Sequence, residues 1–369
     1  MLRITIISLF LLCTTQVHSR ADFWSLNEYW QEYPYQQELS ESFSDIVRNP
    51  PAPLSYTQDK PVFIYFITPS RQLSDYWRRN RTAFTERLNE LNIKYKIKSY
   101  DTKANSQEAQ KRKLMQRALS ENPDFIILTL DTAPDRNFTR RILNQKKTRI
   151  IVQNVTNPVK SWHKNQPLLY VGFDHESGTK ILAEYFKKTF SGKTKYAVNN
   201  FYPGYISKVR GNSFITMLEK NSRFELLSHV YTDASQGSAR SNTLNLVDLY
   251  PDLNFIYASA TDIAIGTSKA LQRLGREDIK VNGWGGGTME LQALAKGELD
   301  VTVMRMNDDS GVAMAEAVKL VLEKKEELVP VVYSGEFKLV TSETKPSEVE
   351  KLIKHAFRYS DPHVKEQQR

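Results

Sequence analysis

Short apolar segments alternate with amphipathic segments of helical length along most of this chain. The first apolar segment is Val62–Ile67, and in Ser74–Leu91 behind it the apolar side chains recur every three, four or seven residues. Such alternation, with helices of about 10–15 residues between the strands, indicates βαβ units and a mostly parallel sheet. The pattern therefore predicts an α/β fold.

The same alternation continues to residue 324. The other predicted strands are Tyr95–Ser99, Phe125–Leu130, Arg149–Gln153, Leu169–Gly172, Tyr196–Phe201, Glu225–Tyr231, Phe255–Ser259, Ile279–Gly283 and Val301–Arg305. The other predicted helices are Glu108–Leu119, Phe138–Leu143, Gly178–Phe190, Ser207–Glu219, Ala239–Leu249, Ile263–Leu274, Leu291–Lys296 and Gly311–Lys324. These units are too many for one compact sheet, and the pattern restarts near residue 195. We therefore expect two similar doubly wound lobes with parallel sheets, joined by hinge crossovers around a ligand cleft.

The boundaries of the predicted regions follow from this pattern and from composition. In chain order they are a signal peptide (1–19), an N-terminal extension with a stiff Pro-rich linker at Asn49–Pro53 (20–59), an N-terminal lobe (60–172 plus 308–330), a C-terminal lobe (173–307 plus 331–345) and a C-terminal extension (346–369). The 369 residues are enough for two hydrophobic cores.

The first residues have the form of a secretory signal peptide. Arg3 precedes the apolar run Ile4–Cys13, and small or polar residues follow, with cleavage expected ahead of Arg20 and a second acceptable site at Ser19-Arg20-Ala21. The run is shorter than the roughly 20 residues of a membrane span, and no later segment approaches that length. We expect a periplasmic protein with no direct membrane insertion. An exported pair of α/β lobes around a cleft is the architecture of a type I periplasmic binding protein.

Basic residues exceed acidic ones, with 51 Lys and Arg against 42 Asp and Glu and a net charge of +9. Such an excess suits nucleic acid or an anionic membrane if the charges are concentrated in one stripe. Here they are spread over many predicted helices, export puts DNA out of reach, and no helix-turn-helix precedes residue 60. We therefore expect no nucleic-acid partner.

Catalytic and metal-binding signatures are missing from the sequence. The six histidines form no i,i+4 metal pair, and there is no Gly-X-Ser-X-Gly elbow. The single cysteine, Cys13, leaves with the predicted signal peptide, which excludes a disulfide framework and Cys-based metal sites. The pair Asp308-Asp309 is interpreted as a helix start, where the helix dipole favours carboxylates. We expect a protein that is not an enzyme and has no metal or cofactor of its own.

Polar and aromatic residues cluster near the carboxyl ends of the predicted strands, where α/β lobes bind ligands. They are Gln72, Ser74, Trp77, Thr129, Asp131, Asn154, Arg210, Thr261, Trp284 and Arg305. Aromatic faces pack against rings while convergent polar groups fix hydroxyls, so this set suits a small polyhydroxylated ligand. Two arginines on one ligand imply negative charge, since guanidinium pairs with anionic oxygens.

Each of these residues also has a structural interpretation. Trp77 has the spacing of a core residue, and Asp131 stands where the next helix needs an N-cap. Arg210 and Arg305, taken alone, are more often surface or ion-paired residues. The glycines of Gly283–Gly287 suit a tight turn better than a phosphate-binding loop, because the P-loop Lys-Ser/Thr and the dinucleotide spacing are missing.

Several segments closely resemble the LuxP family of periplasmic receptors, which detect the quorum-sensing signal autoinducer-2 in vibrio-type bacteria. They are Gln72-Leu73-Ser74-Asp75-Tyr76-Trp77, Thr129-Leu130-Asp131-Thr132, Leu169-Tyr170-Val171-Gly172-Phe173-Asp174-His175, Gly204-Tyr205-Ile206-Ser207, Asn282-Gly283-Trp284-Gly285-Gly286-Gly287, Val303-Met304-Arg305-Met306-Asn307-Asp308-Asp309 and Ala356-Phe357-Arg358-Tyr359-Ser360-Asp361. The resemblance runs from about Trp30 to Asp361 and finds no departure among the candidate site residues.

This resemblance implies a ligand, a set of roles and a partner. The ligand would be autoinducer-2 as a cyclic furanosyl borate diester, with borate as part of the ligand rather than a cofactor. Trp77 and Trp284 would form apolar walls, and Arg210 and Arg305 would hold the borate. The remaining polar contacts would come from Gln72, Ser74, Thr129, Asp131, Asn154 and Thr261. The partner would be the periplasmic part of a LuxQ-like membrane sensor histidine kinase, which ligand binding shifts from kinase to phosphatase.

Other functions remain open at this level. The main alternative is a ribose- or galactose-type sugar-binding component of an ABC importer, which has the same fold and a neutral ligand. Arg210 and Arg305 distinguish the two, because a neutral sugar does not need two cations. A transcription regulator of similar two-lobed fold is disfavoured by the export signal, and an enzyme would require turnover of the bound ligand.

Overall fold

Two parallel sheets organise the chain. The computed structural model describes residues 22–69, 74–102 and 108–367. The strands are β1 Val62–Pro69, β2 Tyr95–Thr102, β3 Phe125–Leu128, β4 Arg149–Gln153, β5 Leu169–Gly172, β6 Thr194–Asn200, β7 Phe224–Tyr231, β8 Phe255–Ala258, β9 Lys280–Val281, β10 Val301–Arg305, β11 Val332–Ser334 and β12 Phe337–Thr341. The helices are α1 Leu26–Glu32, α2 Pro34–Arg48, α3 Tyr76–Glu90, α4 Glu108–Ser120, α5 Ala133–Gln145, α6 His175–Thr189, α7 Ser213–Glu219, α8 Gln236–Leu249, α9 Thr261–Leu274, α10 Thr288–Ala295, α11 Asp308–Leu322, α12 Pro346–Ala356 and α13 Pro362–Gln367.

The first lobe is built on a six-stranded parallel sheet in the order β11-β5-β4-β3-β1-β2. Strands β1 and β3 are apolar runs that are buried almost throughout, as expected where helices cover both faces of a parallel sheet. Helix α11 packs against α3, α2, β5 and β11, and its Val312–Val318 segment is fully buried. This packing attaches a late part of the chain to the first lobe.

The second lobe is built on a four-stranded parallel sheet in the order β7-β6-β8-β9. Strand β10 continues this arrangement through parallel bridges from Asn282 to Val301 and from Gly285 to Met304, and β12 pairs antiparallel with β10. Stacked aromatic rings fill its interior, with Phe186, Tyr196 and Phe255 in contact. The predicted fold class, an α/β chain with two parallel-sheet lobes, is confirmed.

The chain passes between the lobes three times: between β5 and α6, between β10 and α11, and between β11 and β12. The predicted partition placed all of 331–345 in the C-terminal lobe, and the structure divides that segment. Val332–Ser334 pairs with β5 in the first lobe, whereas Phe337–Thr341 pairs with β10 in the second. Val332–Ser334 has only three residues, and Phe337–Thr341 mixes apolar with polar side chains, so neither was predicted as a strand.

Several element boundaries differ from the prediction for local reasons. The short helix predicted at Phe138–Leu143 extends over Ala133–Gln145, because Thr132 and Asp135 form a capping box one turn earlier. The strand predicted at Ile279–Gly283 shrinks to Lys280–Val281. Residues 22–48, described above only as an extension, contain the helices α1 and α2.

Both extensions are attached to the first lobe by the buried side chain of Arg87 on α3. Its Nε donates to Glu316 Oε1 on α11 at 2.7 Å, and both side chains are 2 % exposed. Its other nitrogens donate to the carbonyl oxygen of Asn49 at 2.9 Å and to the Tyr359 hydroxyl at 3.1 Å. One guanidinium therefore connects the Pro-rich linker, the core of the lobe and the C-terminal extension.

The predicted signal peptide, 1–19, lies outside the described residues. Within the ranges that the structure describes, no helix is both long and apolar enough to cross a membrane. The segment Asn49–Pro53 lies between α2 and β1 and contains no helix or strand.

Candidate ligand-binding site

A cavity lies between the two lobes. Its walls are Pro69, Ser74, Tyr76, Trp77, Asp131, Asn154, Phe201, Tyr202, Ile206, Arg210, Ala260, Thr261, Asp262, Trp284 and Arg305. Eight of the sequence-predicted site residues are in this set. Thr129 is not, but its hydroxyl donates to Asp131 Oδ1 at 3.3 Å. Gln72 lies outside the described residues.

The lining comes from both lobes. Ser74, Trp77, Asp131 and Asn154 follow strands of the first sheet, whereas Arg210, Thr261 and Trp284 follow strands of the second, and Arg305 ends β10. The interpretation of Asp131 as the N-cap of the next helix is wrong, because Thr132 is the N-cap of α5. Trp77 is both a packed core residue and a wall of the cavity, since it packs on Tyr76 and also lines the cavity.

Arg210 enters the cavity from a π-helical turn, Ser207–Asn212, between β6 and α7. Its Nη1 donates to the carbonyl oxygen of Ser259 at 2.9 Å, and its guanidinium carbon lies 3.8 Å from the centroid of the Trp284 ring. Its Nε is buried without a hydrogen-bond partner. Ser259 and Trp284 thus hold Arg210 in place, and its Nε remains available to donate a hydrogen bond to a ligand.

Arg305 is the second buried arginine of the cavity. Its guanidinium carbon lies 4.7 Å from the Tyr76 ring centroid and 5.2 Å from that of Trp284, and its Nε also has no partner. Gly285, at φ 130°, allows this close approach, because a Cβ there would lie 3.2 Å from Arg305 Nη1.

Neither arginine forms an ion pair within the part of the chain that the structure describes. Arg210 is 4 % and Arg305 5 % exposed, and among the described residues no carboxylate lies within 4.0 Å of either guanidinium. Burial and the Arg305 charge lower the pKa of Arg210 well below its usual value, and burial lowers the pKa of Arg305. The interpretation of this pair as surface or ion-paired residues is therefore wrong for the described chain. Two desolvated cations in one cavity favour an anionic ligand.

His175 is a buried residue beside the arginines that the sequence analysis did not include in the site. Its Nε2 lies 3.1 Å from the carbonyl oxygen of Asn154 and its Nδ1 lies 3.5 Å from Arg210 Nη2. Burial, Arg210 and Arg305 together hold its pKa well below its usual value. A neutral ring with the proton on Nε2 donates to Asn154 and accepts from Arg210, so His175 connects a residue of each lobe.

The loop that carries Trp284 is held by a buried carboxylate. Glu290 Oε1 accepts from the Trp284 amide at 2.9 Å, and Oε2 accepts from the Gly286 amide at 2.8 Å and from the Thr302 hydroxyl at 2.5 Å. Gly286 has φ 65°, and a Cβ there would lie 2.5 Å from Met304 Cα. The glycines therefore serve a tight turn, as predicted.

Replacing Glu290 with alanine is expected to lower the free energy of unfolding by about 2–4 kcal/mol, because two buried amides and one hydroxyl lose their acceptor. Urea denaturation followed by far-UV circular dichroism measures this change. Glu277→Ala, at an exposed position, is the matched control and is expected to change stability by less than about 0.5 kcal/mol. Equal stability of the two variants would contradict the assigned role of Glu290.

Two α/β lobes that enclose a polar cavity, with walls from both lobes, define a two-lobed ligand-binding protein. Residues 64–326 match the periplasmic binding protein domain family, and the chain belongs to this family. Its members are binding proteins rather than enzymes, in agreement with the sequence analysis. Within the described residues no cluster of three His, Cys, Asp or Glu side chains is arranged to hold a metal ion.

Individual relatives are distant. The chain is 25% identical over 181 residues to the ribose import binding protein of Escherichia coli, which is 49% of this chain and 60% of that protein. The match thus spans less than two thirds of that relative.

Solved structures resemble the chain over most of its length. A solute-binding protein of an ABC transporter from Agrobacterium vitis, with bound D-fucose, has a TM-score of 0.69 at 17% identity and covers 78% of this chain and 98% of its own. A periplasmic solute-binding protein from Actinobacillus succinogenes, with bound D-allose, has a TM-score of 0.67 at 18% identity and covers 79% and 100%. At these identities the likeness shows the fold alone.

Proposed function

We propose that this chain is a periplasmic quorum-sensing receptor that binds autoinducer-2 as a furanosyl borate diester in the cleft between its lobes. The observation that supports this proposal is the pair of buried arginines, Arg210 and Arg305, which lack a carboxylate partner among the described residues. A bound anion would supply the missing countercharge. A tetrahedral borate diester is a compact anion whose oxygens accept charge-assisted hydrogen bonds.

The rest of the cavity suits the organic part of this ligand. Trp77 and Trp284 offer apolar faces for a small ring, and Asp131, Asn154 and Thr261 offer polar groups for its hydroxyls. Ser74 adds a further hydroxyl. Gln72 and Thr129 complete the set that the LuxP-like resemblance assigns to ring contacts.

The ligand contacts would come from both lobes, and this gives the proposed receptor a physical basis for signalling. A ligand that contacts both lobes binds the arrangement with the lobes close together more tightly than the arrangement with the lobes apart. Only this difference in affinity shifts the equilibrium between the two arrangements. We propose that the change is relayed to the periplasmic part of a LuxQ-like sensor histidine kinase. Export through the predicted signal peptide would place the receptor in the same compartment.

The second candidate is a sugar-binding component of an ABC importer. The names of the relatives favour it, since the Escherichia coli relative is a ribose import binding protein and the similar structures hold D-fucose and D-allose. A neutral sugar, however, would give these two buried guanidinium groups no ion-pair partner, and among the described residues Glu290 and Asp75 act on them only from beyond 4.0 Å. The two arginines therefore favour the borate ester.

Removal of borate is expected to weaken binding of the autoinducer-2 precursor at least ten-fold, because the ester is the anion that pairs with the arginines. Isothermal titration calorimetry in boron-depleted buffer, with and without added sodium borate, measures this difference. D-ribose and D-galactose, titrated in the same buffers, are the controls. Equal precursor affinity in both buffers, or tight binding of either sugar, would support the importer function instead.

A further inference from the structure

Outside the cavity, the two lobes are joined by a set of hydrogen bonds around Arg79 on α3. The Thr288 hydroxyl, at the start of α10 in the second lobe, donates to Asp75 Oδ2 at 2.8 Å and accepts from Arg79 Nη2 at 2.9 Å. Arg79 Nε in turn donates to the same carboxylate oxygen of Asp75 at 2.6 Å. Three side chains thus form a closed triangle across the boundary between the lobes.

The backbone of the second lobe also contacts this triangle closely, at Gly287 and Thr288. The Thr288 amide also donates to Asp75 Oδ2 at 3.3 Å, and a Cβ on the preceding Gly287 would lie 2.4 Å from Asp75 Oδ1. Burial opposes ionisation of Asp75, but Arg79 and Thr288 outweigh it and lower the pKa of this carboxyl. The geometry requires the two lobes to approach as closely as they do in the structure.

The C-terminal extension covers the outer side of Arg79. The Phe357 ring centroid lies 3.8 Å from the guanidinium carbon, Ser360 Oγ accepts from Nη1 at 3.0 Å, and Asp361 Oδ2 lies 3.5 Å from Nη2. Ser360 is itself held by Asp308 of α11, to which its amide and its hydroxyl both donate, at 2.9 and 2.7 Å. Arg79 is 4 % exposed as a result.

We propose that Asp75, Arg79 and Thr288 form an inter-lobe clasp, braced by Phe357–Asp361, that sets the affinity of the cleft without contacting the ligand. None of these residues lines the cavity. The clasp residues are, however, close in sequence to residues that do, because Asp75 follows Ser74 and Thr288 lies four positions after Trp284. Formation of the clasp therefore brings together two cavity-lining loops from opposite lobes.

The physical basis is the linkage between lobe approach and binding. A ligand held from both lobes binds the close arrangement, so its apparent affinity is proportional to the fraction of molecules in that arrangement. Bonds that form only in the close arrangement raise this fraction before any ligand arrives. This inference rests on the proposed function only in that the cleft binds a ligand from both sides.

Thr288→Val tests the clasp at its second-lobe end, since valine keeps the shape and removes the hydroxyl. We expect roughly ten-fold weaker binding of the autoinducer-2 precursor with borate, expressed as slower association, faster dissociation or both. Stopped-flow fluorescence of the cavity tryptophans measures both rates. Thr189→Val, an exposed position on α6 of the same lobe, is the matched control and is expected to bind normally.

Ser360→Ala tests the brace, with Ser120→Ala at an exposed position of α4 as its control. We expect a smaller loss of affinity, about three-fold, because Arg79 keeps its bonds to Asp75 and Thr288. Ser360→Ala and Thr288→Val are thus both expected to weaken ligand binding. An affinity equal to that of the control would overturn the role of the C-terminal extension as a brace.

A measurement without ligand separates this inference from the proposed function. Spin labels on Arg117→Cys in the first lobe and Lys188→Cys in the second report the inter-lobe distance by double electron–electron resonance. In the full chain that carries Cys13→Ser, so that only the two introduced cysteines are labelled, and without ligand, Thr288→Val is expected to shift the distribution to longer distances. Unchanged distances together with unchanged association and dissociation rates would overturn the clasp, as would a lowered unfolding midpoint with no other change. Failure of the unsubstituted chain to bind borated precursor would refute the proposed function, while the distances still decide on the clasp.

Discussion

Replacing Arg305 with methionine is expected to weaken binding of borated autoinducer-2 by about ten- to hundred-fold. A hydrogen bond to a charged group contributes roughly 1.5–3 kcal/mol, and methionine keeps the length and packing of the arginine stem while removing the guanidinium. The side chain packs between Tyr76 and Trp284, which methionine is able to contact. Isothermal titration calorimetry with saturating borate gives the affinity of each variant.

Two further variants make this result specific. Arg305→Lys retains the positive charge and is expected to lie between the unsubstituted protein and Arg305→Met, because lysine lacks the planar fork of donors. Arg273→Met removes an exposed arginine from α9 and is expected to bind normally. Normal binding of borated ligand by Arg305→Met would mean that the anion site has been assigned to the wrong residues.

The largest loss of stability is expected from Arg87→Met. This change leaves the buried Glu316 carboxylate without its partner and removes donors from Asn49 and Tyr359. Breaking a buried ion pair from one side costs about 3–5 kcal/mol. Urea denaturation, followed by circular dichroism, measures the change in the free energy of unfolding.

The matched control is Arg140→Met on the exposed face of α5, with an expected change below about 0.5 kcal/mol. The double variant Arg87→Met with Glu316→Gln is expected to recover part of the loss, because it removes the unpaired buried charge. A cost below about 1 kcal/mol for Arg87→Met would show that this ion pair does not hold the extensions to the lobe.

Much of the fold was predictable because buried parallel strands are continuous apolar runs. Segments such as Arg149–Gln153 and Leu169–Gly172 were predicted with the same bounds that they have in the structure. The pairing of Val332–Ser334 with the first lobe was not predictable, since a three-residue strand has no periodicity and its neighbour β5 is distant in sequence. Long-range pairing of this kind is decided by packing rather than by local pattern.

The candidate site was also predictable only in part. Residues at strand ends were identified from the sequence, whereas residues whose position depends on how the lobes pack were not. The rule that ligands lie at the carboxyl ends of strands brought Asn154, Thr261 and Trp284 to one cavity, and applied more widely it would have included Tyr202. Nothing local distinguished His175, because its position between Asn154 and Arg210 depends on how the lobes meet. Burial and missing ion pairs of the arginines are likewise properties of the folded chain.

The π-helical turn Ser207–Asn212, from which Arg210 enters the cavity, has a consequence for comparing relatives. A π turn closes its hydrogen bond one residue later than an α turn does, so a relative one residue shorter here would form an ordinary helix. The loss of one residue rotates the two sides of the turn by about 100° relative to each other. Two relatives with the same arginine in an alignment then present it in different directions, and the length of this turn has to be matched before a ligand is inferred from the arginine.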